Sequence, residues 1–182
     1  MIPILTFLAG TLVTFGTAAD AKVPSIDIVT TPRYESKTQR VPKLQIQRTG
    51  QRIKYKKVDL FCMAKNIFHE AGVEDALGKY AVAQVTLNRI KNPKYPSTVC
   101  GVVMEHKQFS WANDHSIRWT HPQGKSWEES MLIAKRVLAG GYRVRGLETA
   151  NYYHADYVDP YWKKTEAKVA KIGAHIFYAS AR

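Results

Sequence analysis

Several patterns that identify common enzyme classes are missing from this sequence of 182 residues. No G-x-S-x-G stretch occurs, which excludes the serine nucleophile elbow of the α/β-hydrolases. His69-Glu70 begins like the zinc-binding H-E-x-x-H motif, but position 73 is Val, so the second ligand is missing. Two cysteines are too few for a structural zinc cluster, and the six histidines lack a zinc-ligand spacing. The sequence therefore predicts no metal site and no other cofactor.

Acidic residues are also scarce, since 15 Asp and Glu stand against 27 Lys and Arg. Residues 22–57 alone hold ten basic side chains against Asp27 and Glu35. Such an excess attracts polyanions, and we expect electrostatic contact with an anionic cell wall or membrane surface. Nucleic acid is not the expected partner, because the basic residues concentrate outside the predicted folded domain and no nucleic-acid-binding motif occurs.

The N-terminus predicts export to the periplasm or the cell exterior. Residues 2–19 carry no charge, and Ala19-Asp20-Ala21 fits a small-residue cleavage site, so residues 1–21 are interpreted as a signal peptide or signal anchor. A basic residue before the apolar run is missing, and the run is close to the ~17-residue lower limit for a membrane span. Whether the segment is cleaved or anchors the chain stays open. Export favours a disulfide between Cys62 and Cys100 over two buried thiols.

The rest of the chain divides into an arm and a folded domain. Residues 22–57 form a basic, proline-containing arm, in which apolar alternation on both sides of Thr49-Gly50 predicts a β-hairpin. The folded domain is predicted over residues 58–182, with no oligomer signal and a monomer as the expected state. The pattern is α+β, mainly helical, with a small β region.

Three helices and a strand region are predicted within the folded domain. Asp59 is the expected N-cap of a helix that runs to Ala71. A second helix spans 76–90, and a third begins at the capping-box pattern of Ser126 and stops before Gly140-Gly141. The C-terminal part, rich in aromatic and β-branched residues, predicts short strands and a helical turn around 161–168.

Glu70 ends the apolar face of the first helix, immediately before Ala71-Gly72. The negative end of the helix dipole disfavours its ionised form, and burial beside Phe68 adds a desolvation cost of the same sign. Both effects raise the pKa of the carboxyl, as a general acid near neutral pH requires. The alternative is a solvated glutamate on an exposed helix face.

Ordered motifs across residues 58–182 resemble the cell wall hydrolases of the SleB type, which include spore-cortex-lytic and phage muralytic enzymes. That family carries an E-A-R-G-E…G-x-x-A-V-A…N-R pattern, then Q-F-S-W and I-G-x-H-x-F-Y. The matching positions are Glu70-Ala71, Glu74, Gly78, Ala81-Val82-Ala83, Asn88-Arg89, Gln108 to Trp111 and Ile172 to Tyr178. Gly72 and Val73 depart from the family's Arg-Gly, and Arg89 is a candidate to supply the missing guanidinium.

The resemblance implies a lysozyme-like, lytic-transglycosylase-like domain with a cleft for peptidoglycan glycan strands. Glu70 matches the catalytic acid that cleaves the MurNAc–GlcNAc bond, in a lytic transglycosylase or a muramidase of phage or bacterial origin. The alternative function is a non-catalytic wall-binding module. The expected substrate-binding residues are polar or aromatic side chains of two clusters: Gln108, Phe109, Ser110, Trp111, Asn151, Tyr153, His154 and Tyr157.

Ordinary glycoside hydrolysis needs two carboxyl groups, and the second is not evident here. Glu74, Asp114 and Asp156 are candidates without a supporting motif. One carboxyl group suffices if the muramic 6-hydroxyl attacks intramolecularly and leaves an anhydro end. The choice between hydrolysis and anhydro formation stays open.

Overall fold

The structure is a computed structural model, and it describes residues 43–181. The expected signal segment and arm residues 22–42 lie outside the described residues. The elements in chain order are β1 Gln45–Arg48, α1 Lys57–Ala71, α2 Ala76–Lys91, α3 Val99–Val103, α4 Ser110–Asn113, α5 His115–Arg118, α6 Lys125–Leu138, β2 Tyr142–Arg145, β3 Ala150–Ala155, a 3₁₀ turn Tyr161–Lys164, β4 Ala167–Ile172 and β5 His175–Ala179. None of the helices between residues 43 and 181 is long and apolar enough to cross a membrane.

Helix α2 lies at the centre of the domain. Every residue from Gly78 to Arg89 is buried, so α2 is covered on all sides rather than on one apolar stripe. Helix α1 packs against α2, α3 and α6, and its fully buried side chains include Met63 and Ile67. The three long predicted helices are therefore present, and all their ends except the start of α1 lie within two residues of the expected positions.

The start of α1 differs from the prediction, because the helix begins at Lys57 rather than after Asp59. Asp59 lies in the first turn, where one carboxylate oxygen accepts a hydrogen bond from the backbone N–H of Lys56 at 3.0 Å. Its other oxygen accepts one from the backbone N–H of Cys100 at 3.1 Å. The side chain thus caps α1 from inside the helix and ties it to α3.

The disulfide predicted between Cys62 and Cys100 is confirmed. It joins the middle of α1 to α3, beside the hydrogen bond from Cys100 to Asp59. The covalent and polar links therefore hold the same two helices together.

The predicted local β-hairpin is wrong. Strand β1 pairs antiparallel with the distant β2, with Ile46 opposite Val144, and residues 51–56 form no strand. The physical reason is burial, since Ile46 and Ile53 both pack against the hydrophobic core of the domain. Arg143 fixes this segment further, because its guanidinium donates to the carbonyl oxygen of Gln51 at 2.8 Å. Residues 43–56 are therefore packed on the domain that was predicted to begin at Val58.

The predicted C-terminal strands form a three-stranded antiparallel sheet in the order β3-β5-β4, with Tyr153 opposite Phe177. The 3₁₀ turn lies where a helical turn was predicted. Helix α6 begins one residue before Ser126, whose hydroxyl does not cap it but donates to the carbonyl oxygen of Gly72 at 3.0 Å. That bond ties the start of α6 to the end of α1.

Candidate active site

Glu70 is held by side chains from two other elements. The indole N–H of Trp111, on α4, donates to Oε1 of Glu70 at 3.0 Å. The hydroxyl of Tyr153, on β3, donates to Oε2 at 3.4 Å. The carboxyl group therefore sits where the end of α1, α4 and β3 meet, and each of its oxygens has one donor.

Burial dominates the protonation of Glu70. Desolvation raises the pKa of this carboxyl, while the hydrogen bonds from Trp111 and Tyr153 and the charge of Arg89 lower it, and the net direction is upward. The alternative of a solvated glutamate on an exposed face does not hold, because Glu70 is partly buried and each of its oxygens accepts a hydrogen bond. The pKa of Glu70 is therefore shifted in the direction expected from the sequence, with desolvation as the main cause.

Arg89 connects two of the predicted substrate-binding segments. From α2, its Nε donates to the backbone carbonyl of Asn151 at 2.8 Å, and its Nη1 donates to the side-chain oxygen of Gln108 at 2.9 Å. The guanidinium also lies over the rings of Tyr95 and Phe109, at 5.3 Å and 6.0 Å from their centroids. A single buried cation thus orients the Q-F-S-W segment and strand β3 toward the same space.

A cleft of about 580 Å³ opens beside this group. Its aromatic wall includes Tyr152 of β3 and Trp162 of the 3₁₀ turn, whose ring centroids lie 5.5 Å apart. Tyr153 lines the cleft and also bonds Glu70, so it connects the cavity to the carboxyl group. The lining residues are Arg89, Tyr95, Lys107, Gln108, Tyr152, Tyr153, Tyr161, Trp162 and Glu166.

Four of the predicted substrate-binding residues come from the Q-F-S-W segment, and they have different environments. Gln108 lines the cleft. Phe109 and Trp111 are each 7% exposed and stack with their centroids 6.2 Å apart, so their rings shape the site from behind. Ser110 is exposed at the first position of α4.

The other four lie on β3 or just after it, and only Tyr153 reaches Glu70. Asn151 is partly buried, and its side-chain amide donates to the carbonyl of Thr149 at 3.2 Å. Alternation along β3 turns His154 to the other face, where it is buried beside Trp162 and lies 3.1 Å from the hydroxyl of Tyr178. Tyr157 is 86% exposed in the turn after the strand and does not line the cleft.

The three candidates for a second carboxylate are engaged elsewhere. Asp114 caps α5 by accepting from the backbone N–H of Ser116 at 2.8 Å. Asp156 pairs with Lys171 at 2.7 Å, and Glu74 accepts from the backbone N–H of Ala174 at 3.1 Å. Within residues 43–181, no group of three or more His, Cys, Asp or Glu side chains is arranged to hold a metal ion.

Two residues behind Trp111 were missed by the sequence reasoning. Lys65 is fully buried, and its ammonium lies 5.6 Å from the centre of the Trp111 ring while donating to the carbonyl of Thr120 at 3.0 Å. The ring of His69 stacks with that of Trp111, with centroids 4.6 Å apart, and burial followed by the charge of Lys65 lowers the pKa of His69. A lysine in the middle of an apolar helix was the available signal, since a buried Lys needs carbonyl or carboxylate partners.

A family profile and the curated relatives of this chain point to the same family. The sequence profile of the Cell Wall Hydrolase family matches residues 73–178, a segment that begins just after Glu70. The chain is 33% identical to the spore cortex-lytic enzyme of Oceanobacillus iheyensis over 123 residues, which are 68% of this chain and 42% of that protein. Identity to a spore cortex-lytic enzyme of Bacillus cereus is 32% over 123 residues, 68% of this chain and 45% of that one. The chain therefore spans less than half the length of these curated relatives.

Two solved structures are similar in both fold and sequence. The catalytic domain of the Bacillus cereus SleB protein matches with a TM-score of 0.56 and 29% identity, over 72% of this chain and 98% of that one. The catalytic domain of the germination-specific lytic transglycosylase SleB from Bacillus anthracis matches with a TM-score of 0.56 and 32% identity, over 68% of this chain and 96% of that one. Both likenesses confirm the predicted fold class.

Proposed function

The chain belongs to the cell wall hydrolase family, and we propose that it cleaves the MurNAc–GlcNAc bond of peptidoglycan glycan strands with Glu70 as the general acid. The observation that carries this proposal is the environment of Glu70. A partly buried carboxyl group with a raised pKa lies next to Tyr153, which lines a cleft of about 580 Å³. A wall-binding module without catalysis has no need for such a carboxyl group.

The two hydrogen-bond donors suit a group that alternates between acid and carboxylate. Desolvation favours the protonated form that must meet the glycosidic oxygen. Once the proton has moved to the leaving oxygen, the N–H of Trp111 and the hydroxyl of Tyr153 stabilise the carboxylate that remains. The positive charge of Arg89 acts in the same direction.

We propose the anhydro-forming reaction rather than ordinary hydrolysis. The muramic 6-hydroxyl attacks the anomeric carbon of its own sugar, the glycosidic bond breaks, and Glu70 protonates the leaving oxygen. The resulting carboxylate accepts the proton of the attacking hydroxyl. The reaction therefore needs no second carboxylate and consumes no water. Glu74, Asp114 and Asp156 are engaged in other contacts. Glu166, which lines the cleft, accepts a hydrogen bond from the backbone N–H of Ala181 at 3.2 Å. These contacts favour the one-carboxyl mechanism.

The cleft offers features that suit a glycan strand. Sugar rings present C–H faces that pack on aromatic side chains, and Tyr152 and Trp162 form such a wall. The amide of Gln108, held by Arg89, is available for sugar hydroxyl groups. Of the other predicted binding residues, Ser110 and Asn151 are suited to hydrogen bonds with sugar hydroxyl groups at the edge of the site. Phe109 and Trp111 pack behind the site and position the residues that line it.

The remaining proposals concern where the enzyme works. Export, directed by residues 1–21, would bring it to the wall, and the ten basic residues of segment 22–57 would hold it near anionic wall polymer or a membrane surface. A monomer is the proposed working state.

Mass spectrometry of the fragments released from purified sacculi tests the proposed bond and reaction. The proposal predicts muropeptides that end in anhydro-muramic acid, lighter by one water than their hydrolysed counterparts. Fragments with reducing muramic ends would show that the enzyme hydrolyses the bond and does not form the anhydro product. Intact glycan strands with cleaved peptides would overturn the assignment of the bond.

A further inference from the structure

Glu74 is buried against the turn that joins β4 to β5. Its Oε1 accepts a hydrogen bond from the backbone N–H of Ala174 at 3.1 Å and lies 3.3 Å from Nδ1 of His175. The side chains of Glu74 and His175 are each 11% exposed. A carboxylate from the loop after α1 thus reaches across to the C-terminal sheet.

Gly173 makes this approach sterically feasible. Its φ is +54°, and a Cβ at this position would lie 1.8 Å from Oε2 of Glu74. No other residue fits there without displacing the carboxylate. The turn Gly173-Ala174-His175 and Glu74 are therefore fitted to each other on both sides of the contact.

The same turn leads to the residue that bonds Glu70. The ring of His175 meets that of Tyr153 edge to face, with centroids 5.5 Å apart. Strand β5, which begins at His175, also sets the register of β3, since it pairs Tyr153 with Phe177. A shift of the turn would therefore move the Tyr153 hydroxyl, which is already at 3.4 Å from Glu70.

We propose that Glu74 is a positioning residue for this reaction: it fixes the β4–β5 turn, and through His175 it holds Tyr153 against Glu70. It is not the second catalytic carboxylate. This inference rests on the proposed role of Glu70 as the acid. It gives the second Glu of the E-A-x-x-E pattern a task that needs its reach and its acceptor oxygen rather than its charge.

Matched substitutions separate reach from charge. Glu74→Gln keeps the length and an oxygen that accepts from Ala174, so it should retain most of the kcat. Glu74→Asp keeps the charge but is shorter by one methylene, and Glu74→Ala removes the contact. Both should lower kcat by up to about 10²-fold, the usual scale for misplacing a catalytic group by about 1 Å. A catalytic carboxylate would give the opposite order, with Gln the least active variant.

The pH profile identifies the route through Tyr153. Glu70 must be protonated to act, so kcat falls as pH rises through its pKa. Loss of the Tyr153 hydrogen bond removes stabilisation of the carboxylate and raises that pKa. The upper limb of the profile should therefore move to higher pH in Glu74→Ala and in Tyr153→Phe, but stay in place in Glu74→Gln.

Other charged groups face these residues and are unchanged in every variant. The charge of Arg89, from α2, lowers the pKa of Glu70 and of Tyr153, and the charge of Lys65 lowers the pKa of His69. His175 is influenced by Asp156 and His154 in addition to Glu74. Their contribution is common to the whole set, so a shift confined to the Ala and Asp variants reports the position of Tyr153.

The double variant Tyr153→Phe/Glu74→Ala completes the test, because Glu74→Ala should cost little further activity once the hydroxyl is gone. Near-ultraviolet circular dichroism and thermal midpoints monitor folding, and Glu74→Asp replaces Glu74→Ala if the latter unfolds. The inference is overturned by an inactive Glu74→Gln, by an unmoved pH limb in the shortened variants, or by a full additional loss in the double variant. An active Glu70→Gln would instead overturn the proposed function itself.

Discussion

Reduction of the Cys62–Cys100 disulfide isolates one contribution to stability whose size follows from the chain. The two cysteines are separated by 38 residues. In the chain-entropy model, closing a loop of this length lowers the conformational entropy of the unfolded chain. The folded state is thereby stabilised by about 4 kcal/mol at 25 °C. That is a large share of the 5–15 kcal/mol, roughly, by which a domain is stable.

The assay is urea unfolding of the oxidised and the reduced wild-type protein, followed by tryptophan fluorescence. Reduction is preferable to mutation, because Cys62 is fully buried and its replacement by Ala would add a cavity cost. The Cys62→Ala/Cys100→Ala variant is the control and should not respond to reductant. A difference in unfolding free energy below about 1 kcal/mol would refute the loop-entropy reasoning.

Three further outcomes are expected. Trp111→Phe removes an N–H donor that lowers the pKa of Glu70, so the upper limb of the pH profile of kcat should move to higher pH. The control Trp119→Phe, at an exposed tryptophan, should leave the limb unchanged. An unmoved limb in Trp111→Phe would contradict the assigned hydrogen bond. Arg143→Met leaves the carbonyl groups at the end of α6 and in the 43–56 segment without a buried donor, and urea unfolding should report a loss of about 1–3 kcal/mol; unchanged stability would show that the segment is held without it. Deleting residues 22–42 should slow lysis of sacculi at low salt, with the gap closing as added salt shortens the Debye length toward ~8 Å; an equal loss at every salt concentration would rule out electrostatic attraction.

Local patterns carried most of the predictions that the structure confirms. The helices around Met63 and Val82 follow from apolar periodicity and breakers, both of which act within one or two turns. The burial of Glu70 follows from the apolar face that it ends, and the disulfide follows from cysteine number and expected export. The C-terminal strands follow from their β-branched and aromatic composition.

Long-range pairing explains what could not be predicted. The partner of Gln45 is Arg145, and no local rule connects strands so far apart in the chain, so apolar alternation around Thr49-Gly50 was assigned to a hairpin instead. The orientation of His154 depends on which face of the sheet meets α2, and this is decided by packing rather than by composition. Lys65 stands out within an apolar helix, but its partner, the backbone carbonyl of Thr120, could not be identified from the sequence.

Lysis of purified sacculi by Glu70→Gln tests the central claim most directly. The substitution removes the acidic proton and preserves the shape of the side chain, including an oxygen that can accept from Trp111. We predict that the variant folds, binds glycan and shows no lysis above background, while Glu74→Gln, the same chemical change at the second glutamate of the motif, lyses sacculi at close to the wild-type rate. Lysis by Glu70→Gln at close to the wild-type rate would contradict the assignment of Glu70 as the general acid.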